Sequence, residues 1–290
     1  MWKKQFAASS ANLGPGFDSF GIALNRFLTI EAQESEEWVV HFKTPFLSHL
    51  PKDDKNMVLN IAKRVARRYH KTLPTLSITM ESEIPLTHGM GSSASAIVAA
   101  VELANDFANL NLSLTQRIKL ASEIEGHPDN VGACYTGGVF IGYHEGTTFY
   151  FQTTQLKEVA FVITTPAYEL ATKKARSVLP TQYEKSDSIA QNALSSVMIM
   201  AMMKRDYKMM GQLMMKDKFH EPYRQPLIAE FPEVKRIALE HGAYATVISG
   251  AGPSILTMCP LNNVDNILNA LKENVDCEHQ QVEIYQKTSF

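Results

Sequence analysis

The run PLTHGMGSSASAIVAAVELAN, residues 85–105, limits what this chain can become more than any other stretch. Gly89 and Gly91 permit backbone conformations closed to other residues and lack the Cβ atoms that would hold a ligand off. The serine and alanine run behind them opens a helix, whose first amide N–H groups have no partner within it. Those amides, the positive end of the helix dipole and the hydroxyls of Ser92 and Ser93 converge on one spot. That is an anion site. A tight turn with a serine cap is the plainer alternative, but a cap needs one serine and no pair of glycines.

Three familiar loops fail here. A nucleophile elbow needs G-x-S-x-G, and alanines rather than glycine follow these serines. A Walker A loop ends in G-K-[ST], and the nearest lysines are Lys71 and Lys119. Gly89-x-Gly91-x-x-Ala94 fits the dinucleotide fingerprint by letters. However, residues 85–88 hold it off the preceding strand, and no acidic residue closes a second strand about twenty positions on. What remains is a phosphate cradle of another design. Amides alone do not offset a triphosphate, so a divalent cation held by a hydroxyl and a carboxylate is expected. ASEIEGHPDNVGA, residues 121–133, supplies the candidate carboxylate.

Ahead of the loop, FAASSANLGPGFDSFGIAL starts as a strand and breaks at Gly14-Pro15-Gly16. Strands are expected at 27–32, 38–42 and 75–84. Val58, Ile61, Ala62, Val65 and Ala66 space a helix between them. The helix behind the loop runs to about Asn109, and a second takes Thr115 as its N-cap and Gly126 as its stop. GGVFIGY and TTFYFQ make a hairpin. The pattern restarts after Gln155 with an apolar strand, several helices, two strands around SGAGPS, and a closing helix and strand. Strands and helices mix without regular βαβ alternation, so the fold class is α+β. A chain of 290 residues suits two domains, placed at 1–155 and 156–290. Eight of the thirteen methionines fall between Met198 and Met215, read as core filling rather than as a binding groove.

A net charge of −2 gives no electrostatic ground for binding nucleic acid or an anionic membrane. The basic run KRVARRYHK is read as a solvated helix face. The first residues carry no apolar leader, and no stretch reaches the roughly 18 apolar residues of a membrane span. Cys134, Cys259 and Cys277 form no CxxC. A cytoplasmic location is expected, and base rate favours a homodimer.

GMGSSAS, with Pro85 ahead of it, is similar to the phosphate loop P-x-x-x-G-[LM]-G-S-S-A of the galactokinase, homoserine kinase, mevalonate kinase and phosphomevalonate kinase (GHMP) superfamily. SSANLGPGFDSFGIAL at 9–24 and SGAGPSILTM at 249–258 resemble its other two motifs, in the same order. SANLGPGFD together with EGHPDNV resembles the homoserine kinases within it, from end to end. The resemblance implies an N-terminal ribosomal-protein-S5-like domain, a C-terminal ferredoxin-like domain and an active site in the cleft between them. It also implies transfer of the ATP γ-phosphate to the side-chain hydroxyl of L-homoserine, with Mg²⁺ as cofactor. The product, O-phospho-L-homoserine, leads to threonine. A different small alcohol such as mevalonate or shikimate, and a non-catalytic sensor on the same fold, stay open.

By the same resemblance, Pro85, Leu86, Thr87, His88, Gly89, Met90, Gly91, Ser92, Ser93, Ala94, Ser95 and Ala96 wrap the triphosphate, and Asn56 lies near the adenine. Ser93 and Glu125 hold the metal. Glu123 is the alternative, two residues away and so on the opposite face of its helix. Arg176 and Arg224 match the substrate arginines, suited to a carboxylate by their bidentate geometry. Thr172 lies one turn before Arg176, and Asp18 pairs with the substrate ammonium. Asn12 and Asn130 sit near the reacting hydroxyl. Gly250 and Gly252 bring the SGAGPS loop up to close the cleft. The catalytic set is then Ser93, Glu125, Asn130 and Arg176. Where mevalonate and galactose kinases carry an aspartate base, this chain has Asn130, flanked by Asp129 and His127. His127 is either a general base or a structural histidine. Phosphoryl transfer depends mainly on positioning and charge neutralisation, so no strong base is expected.

Overall fold

The computed structural model describes residues 1–287. A first sheet joins β1 (Trp2–Ala11), β2 (Phe20–Glu34), β3 (Val39–Phe42), β4 (Leu76–Ser82), β5 (Val139–Glu145) and β6 (Thr148–Thr154). Its order is β3-β4-β2-β5-β6, with β1 paired to β2. β2 is long enough to serve two partners on one edge. Phe20–Ile22 pair with β5, while Leu28–Glu34 pair with β4. β1 lies along the other edge, with a register shift between Ala7 and Ala8. Beyond that shift its residues are buried, and they carry Ser9 and Ser10 to the end of the sheet.

Four helices belong to this half: α1 (Met57–Arg68), α2 (Ser92–Phe107), α3 (Leu114–Glu125) and α4 (Asp129–Thr136). α1 forms where the 3.6-residue spacing predicts it, capped by Asn56, whose side chain accepts from the Val58 amide at 3.0 Å. It buries Val58, Leu59, Ile61, Ala62, Val65 and Ala66, each larger side chain contributing about 1.5–3 kcal/mol. Its basic face is solvated, with Lys63 on Asp54 at 2.8 Å. α3 is capped by Ser113 rather than Thr115, because Ser113 and Gln116 close a reciprocal capping box. α4 stands where no helix is expected from the residue pattern, and every one of its eight residues is buried.

The second sheet, β10-β7-β9-β8, is antiparallel throughout and contains β7 (Val159–Thr165), β8 (Ala245–Ile248), β9 (Ile255–Pro260) and β10 (Glu278–Val282). Its helices are α5 (Thr172–Ser177), α6 (Lys185–Met203), α7 (Tyr207–Met214), α8 (Glu221–Arg224), α9 (Phe231–Glu240) and α10 (Val264–Asn274). Met198, Met202, Met210 and Met214 are core residues, whereas Met200, Met203 and Met209 face outward. One face of the second sheet joins the core of the first, Phe161, Ile163 and Met258 packing in the same cluster as Phe6, Ile22 and Val98, while Val162, Ile248 and Ile255 on its other face form a separate core with α9 and α10. After β10 the chain returns to the first sheet. Ile284 bridges Leu24, and Tyr285 exchanges backbone hydrogen bonds with Ala23 and Gly138.

Candidate active site

The helix α2 begins without a side-chain cap. Gly91 occupies the N-cap with φ 72°, so the amides of the first turn keep no side-chain partner. A Cβ on Gly91 would lie 2.2 Å from Ser9 Oγ, and one on Gly89 would lie 2.3 Å from the Ser249 carbonyl oxygen. The glycines are therefore required by close approach of the protein itself, a reason the sequence did not disclose. Ser249 Oγ lies 2.7 Å from the Gly89 carbonyl oxygen and 2.8 Å from Ser10 Oγ. The Gly250 amide donates to Ala11 O at 3.1 Å, and Asn12 Nδ2 donates to Gly250 O at 2.8 Å. One wall is thus built from both sheets.

Opposite it stand the end of α3 and the start of α4. Gly126, at φ 98°, stops α3 immediately after Glu125. Ser93 Oγ donates to Glu125 Oε2 at 3.1 Å. Burial raises the Glu125 pKa, against the opposing pull of His127 and the Ser93 hydrogen bond. Glu123 points elsewhere and pairs with Arg68 at 2.5 Å. Of the two carboxylates only Glu125 reaches the cleft.

His127 Nδ1 donates to Asp129 Oδ1, which also accepts the Asn130 amide at 2.7 Å. Burial works against a charged imidazole, but Asp129, with Asp18 and Glu125 behind it, outweighs that and holds the His127 pKa at about 9. The ring is a cation at neutral pH, not a base. Asn130 Oδ1 accepts from Ser9 Oγ at 2.8 Å, which fixes the amide.

The third side carries the arginines. Arg176 grips Asp18 with both terminal nitrogens, at 2.7 and 3.1 Å. Asp18 is itself held by its amide on Asn12 Oδ1 at 3.1 Å. Arg224 is 2% exposed and donates to Ala175 O at 3.2 Å and Gly250 O at 3.0 Å. Burial and the neighbouring Arg176 lower its pKa to about 10, so it stays charged. The Phe17 ring lies 5.8 Å from the Arg176 guanidinium carbon and 5.4 Å from that of Arg224, and stacks on His220. This keeps two like charges ordered side by side.

Below Arg224, Asp217 accepts the amides of His220 and Glu221, both at 2.8 Å. Burial pushes Glu221 up to about 8, although its Oε1 accepts the Ile248 amide at 2.6 Å. A folded-state pKa above the unfolded one means that the native protein holds a proton that the unfolded chain releases. The resulting stability is present below the usual carboxylate range and is lost as pH rises through about 8. His220, lowered to about 4 by burial, works in the opposite direction and costs stability in acid. Glu221→Gln should therefore lose less stability than the parent between about pH 5 and about pH 9, read from urea midpoints.

Sixteen residues line a cleft of about 110 Å³, three carboxylates facing three cations. Residues 56–138 match the family model for the GHMP kinases N terminal domain, and residues 198–277 match that for the GHMP kinases C terminal domain. The chain belongs to the GHMP kinases. A homoserine kinase of Staphylococcus epidermidis is 43% identical over 97% of this chain and 94% of its own length. One of Staphylococcus aureus strain MRSA252 is 44% identical, with 96% and 93% covered. The solved homoserine kinase of Cytophaga hutchinsonii aligns at TM-score 0.85 and 28% identity, covering 98% of this chain and 95% of that one. The mevalonate kinase of Methanococcus jannaschii shares the fold, at TM-score 0.73 and 17% identity over 98% of each chain. A GHMP kinase uses ATP with a divalent metal.

In this GHMP kinase the cleft gathers Asn12, Asp18, Thr87, Gly89, Gly91, Ser92, Ser93, Glu125, Asn130, Thr172, Arg176 and Arg224. It adds His127, Asp129, Gly250 and Ala251. Gly252 does not line it; a Cβ there would meet Ile228, and Gly250 and Ala251 present the loop instead. Pro85, Leu86, His88 and Ala96 also stay off the lining. Met90, Ala94 and Ser95 turn into the core, so any contact they make is through backbone. Asn56 is 2% exposed and spends its side chain on the α1 cap and on Pro51 O. Among the described residues no helix is long and apolar enough to cross a membrane.

Proposed function

We infer that this GHMP kinase is a homoserine kinase. It transfers the γ-phosphoryl group of ATP to the side-chain hydroxyl of L-homoserine, giving O-phospho-L-homoserine for threonine biosynthesis. The observation that carries this is the 43–44% identity to homoserine kinases over nearly the whole chain. A bidentate Arg176–Asp18 pair in the cleft supports it, because a zwitterion can part the pair and satisfy both.

The uncapped start of α2, with Thr87, Gly89 and Gly91, takes the triphosphate on its amides. Ser93 and Glu125 fit a divalent cation: a hydroxyl and a buried carboxylate sit 3.1 Å apart beside that anion site. They would hold Mg²⁺, which when bound neutralises charge on the β- and γ-phosphates. Arg176 takes the substrate carboxylate, with Arg224 behind it, and Asp18 takes the ammonium. Asn12 and Asn130 direct the hydroxyl oxygen. That oxygen forms the new bond to the γ-phosphorus as the bond to the β-bridging oxygen breaks, and ADP leaves. The hydroxyl proton departs late, to the transferred group. No side chain here is a strong base, because His127 is already charged and Asn130 is neutral. Two domains meeting at residue 155, a cytoplasmic location and a homodimer belong to the same reading.

Coupled ADP release with a substrate panel tests it. Turnover is expected with L-homoserine and not with L-serine, mevalonate or shikimate. Turnover with mevalonate alone would move the chain to another branch of the family.

A further inference from the structure

Between β1 and β2 the chain passes through Gly14-Pro15-Gly16-Phe17, and the imidazole of His220, 0% exposed, packs against that loop. A Cβ on Gly14 would lie 1.9 Å from the Met214 carbonyl oxygen, so the loop is wedged against the end of α7. The Gly14 carbonyl oxygen meets His220 Nε2 at 3.0 Å, and Asp217 Oδ2 faces the same nitrogen at 3.7 Å. Both oxygens can only accept, so Nε2 carries the ring proton. Nδ1 is then a bare lone pair, and Arg224 Nη1, which can only donate, lies 3.4 Å from it. The two sides dictate the same tautomer, and burial, which lowers the His220 pKa to about 4, keeps the ring neutral.

Arg224 is committed along one edge. Nε donates to Ala175 O, and the two hydrogens of Nη1 go to Gly250 O and to His220. Among the described residues Nη2 finds no acceptor, and Arg224 lines the cleft. The Phe17 ring lies 5.4 Å from the same guanidinium and stacks on His220 with the ring planes 19° apart. His220 therefore touches both the Phe17 ring and the bonded edge of Arg224, yet it does not itself line the cleft. It is held from behind as well. Asp217 accepts its amide, and Gln191 of α6, 4% exposed, donates to Asp217 Oδ1 at 2.7 Å.

We propose that His220 is a positioning residue for the substrate carboxylate: it fixes the Arg224 guanidinium so that Nη2 is presented to the cleft, and it backs the Phe17 ring on which both arginines lie. This rests on the reading that homoserine is the substrate, and it adds what aims the second arginine. A guanidinium already bonded along one edge loses less freedom when a ligand takes the other. The two ring nitrogens carry the role, not the bulk of the ring.

Steady-state ADP release by the full chain tests this. His220→Phe keeps a ring and removes both nitrogens. The homoserine KM should rise about tenfold, with kcat and the ATP KM each within about threefold of the parent. His220→Gln restores a donor and an acceptor, and should bring the homoserine KM back to within about threefold. On an Arg224→Lys background, where the fork is already gone, His220→Phe should add less than about twofold. Should His220→Phe fail to fold, His220→Leu, smaller and equally unable to hydrogen-bond, takes its place. An unchanged homoserine KM, or a fall in kcat at constant KM, means that His220 only fills space and overturns the proposal. So does a KM in His220→Gln as high as in His220→Phe, or full multiplication of the His220→Phe and Arg224→Lys effects. A parent that does not turn over homoserine overturns the reading of function together with it.

Discussion

Glu125→Gln should lower kcat by about a thousandfold, with the homoserine KM moved by no more than about threefold. Glutamine keeps the shape and can still meet Ser93 Oγ, now 3.1 Å from Glu125 Oε2, but it removes the charge. That charge is an unfavourable one for the free protein, since burial already pushes Glu125 toward its neutral form. A buried carboxylate kept beside a helix N-terminus makes sense if Glu125 is to hold a cation there, whose charge would favour the ionised carboxylate. The variant should unfold no more easily than the parent, and its preference for ATP with Mg²⁺ over ATP alone should vanish in calorimetric titration. His127→Ala is the contrast. It removes a cation rather than a base, so a loss of about tenfold or less is expected. A collapse of turnover in that variant with homoserine binding intact would restore a base to the mechanism.

The anion loop was legible because its chemistry is local. Two glycines, two serines and a helix start lie within five residues, and amide donors need no distant partner to be recognised. The regular helices and strands were legible for a related reason: a face half in water leaves a period in the sequence, as α1 does. α4 leaves none. All eight residues from Asp129 to Thr136 are buried, so no polar face marks the turn of the helix, and Gly132 reads as a break. Gly132 is there because a Cβ would meet the Phe140 ring at 2.3 Å, a contact across the sheet that only the fold reveals. The same holds for Gly89 and Gly91, whose neighbours come from the second sheet and from β1. Helical geometry told only that Glu123 and Glu125 face opposite ways; the resemblance picked Glu125, and nothing in the sequence picked Arg68 as the partner of Glu123. Asn56 shows the opposite risk. Carried over by resemblance to a nucleotide contact, its side chain is engaged in capping a helix.

Arg176→Ala should raise the homoserine KM by about a hundredfold, and Arg176→Lys should recover only part of that. Arg176 and Asp18 satisfy each other through two hydrogen bonds. Binding a zwitterion exchanges partners without changing the number of charges: the guanidinium takes the substrate carboxylate and Asp18 takes the ammonium. Removing Arg176 breaks that exchange twice. The substrate carboxylate loses its fork, and Asp18 is left facing Asp129 and Glu125, which share the cleft with it. Lysine restores the charge but not the paired geometry, hence the partial recovery. The same logic makes 4-hydroxybutyrate, which is homoserine without its ammonium, a poor substrate for the parent, because it takes the arginine and strands the aspartate. For Arg176→Ala that penalty should persist, since the homoserine ammonium still reaches Asp18 and 4-hydroxybutyrate still lacks it. If the variant's KM moves less than about threefold, or if 4-hydroxybutyrate serves the parent as well as homoserine does, the pair is a surface ion pair and homoserine is held by something else.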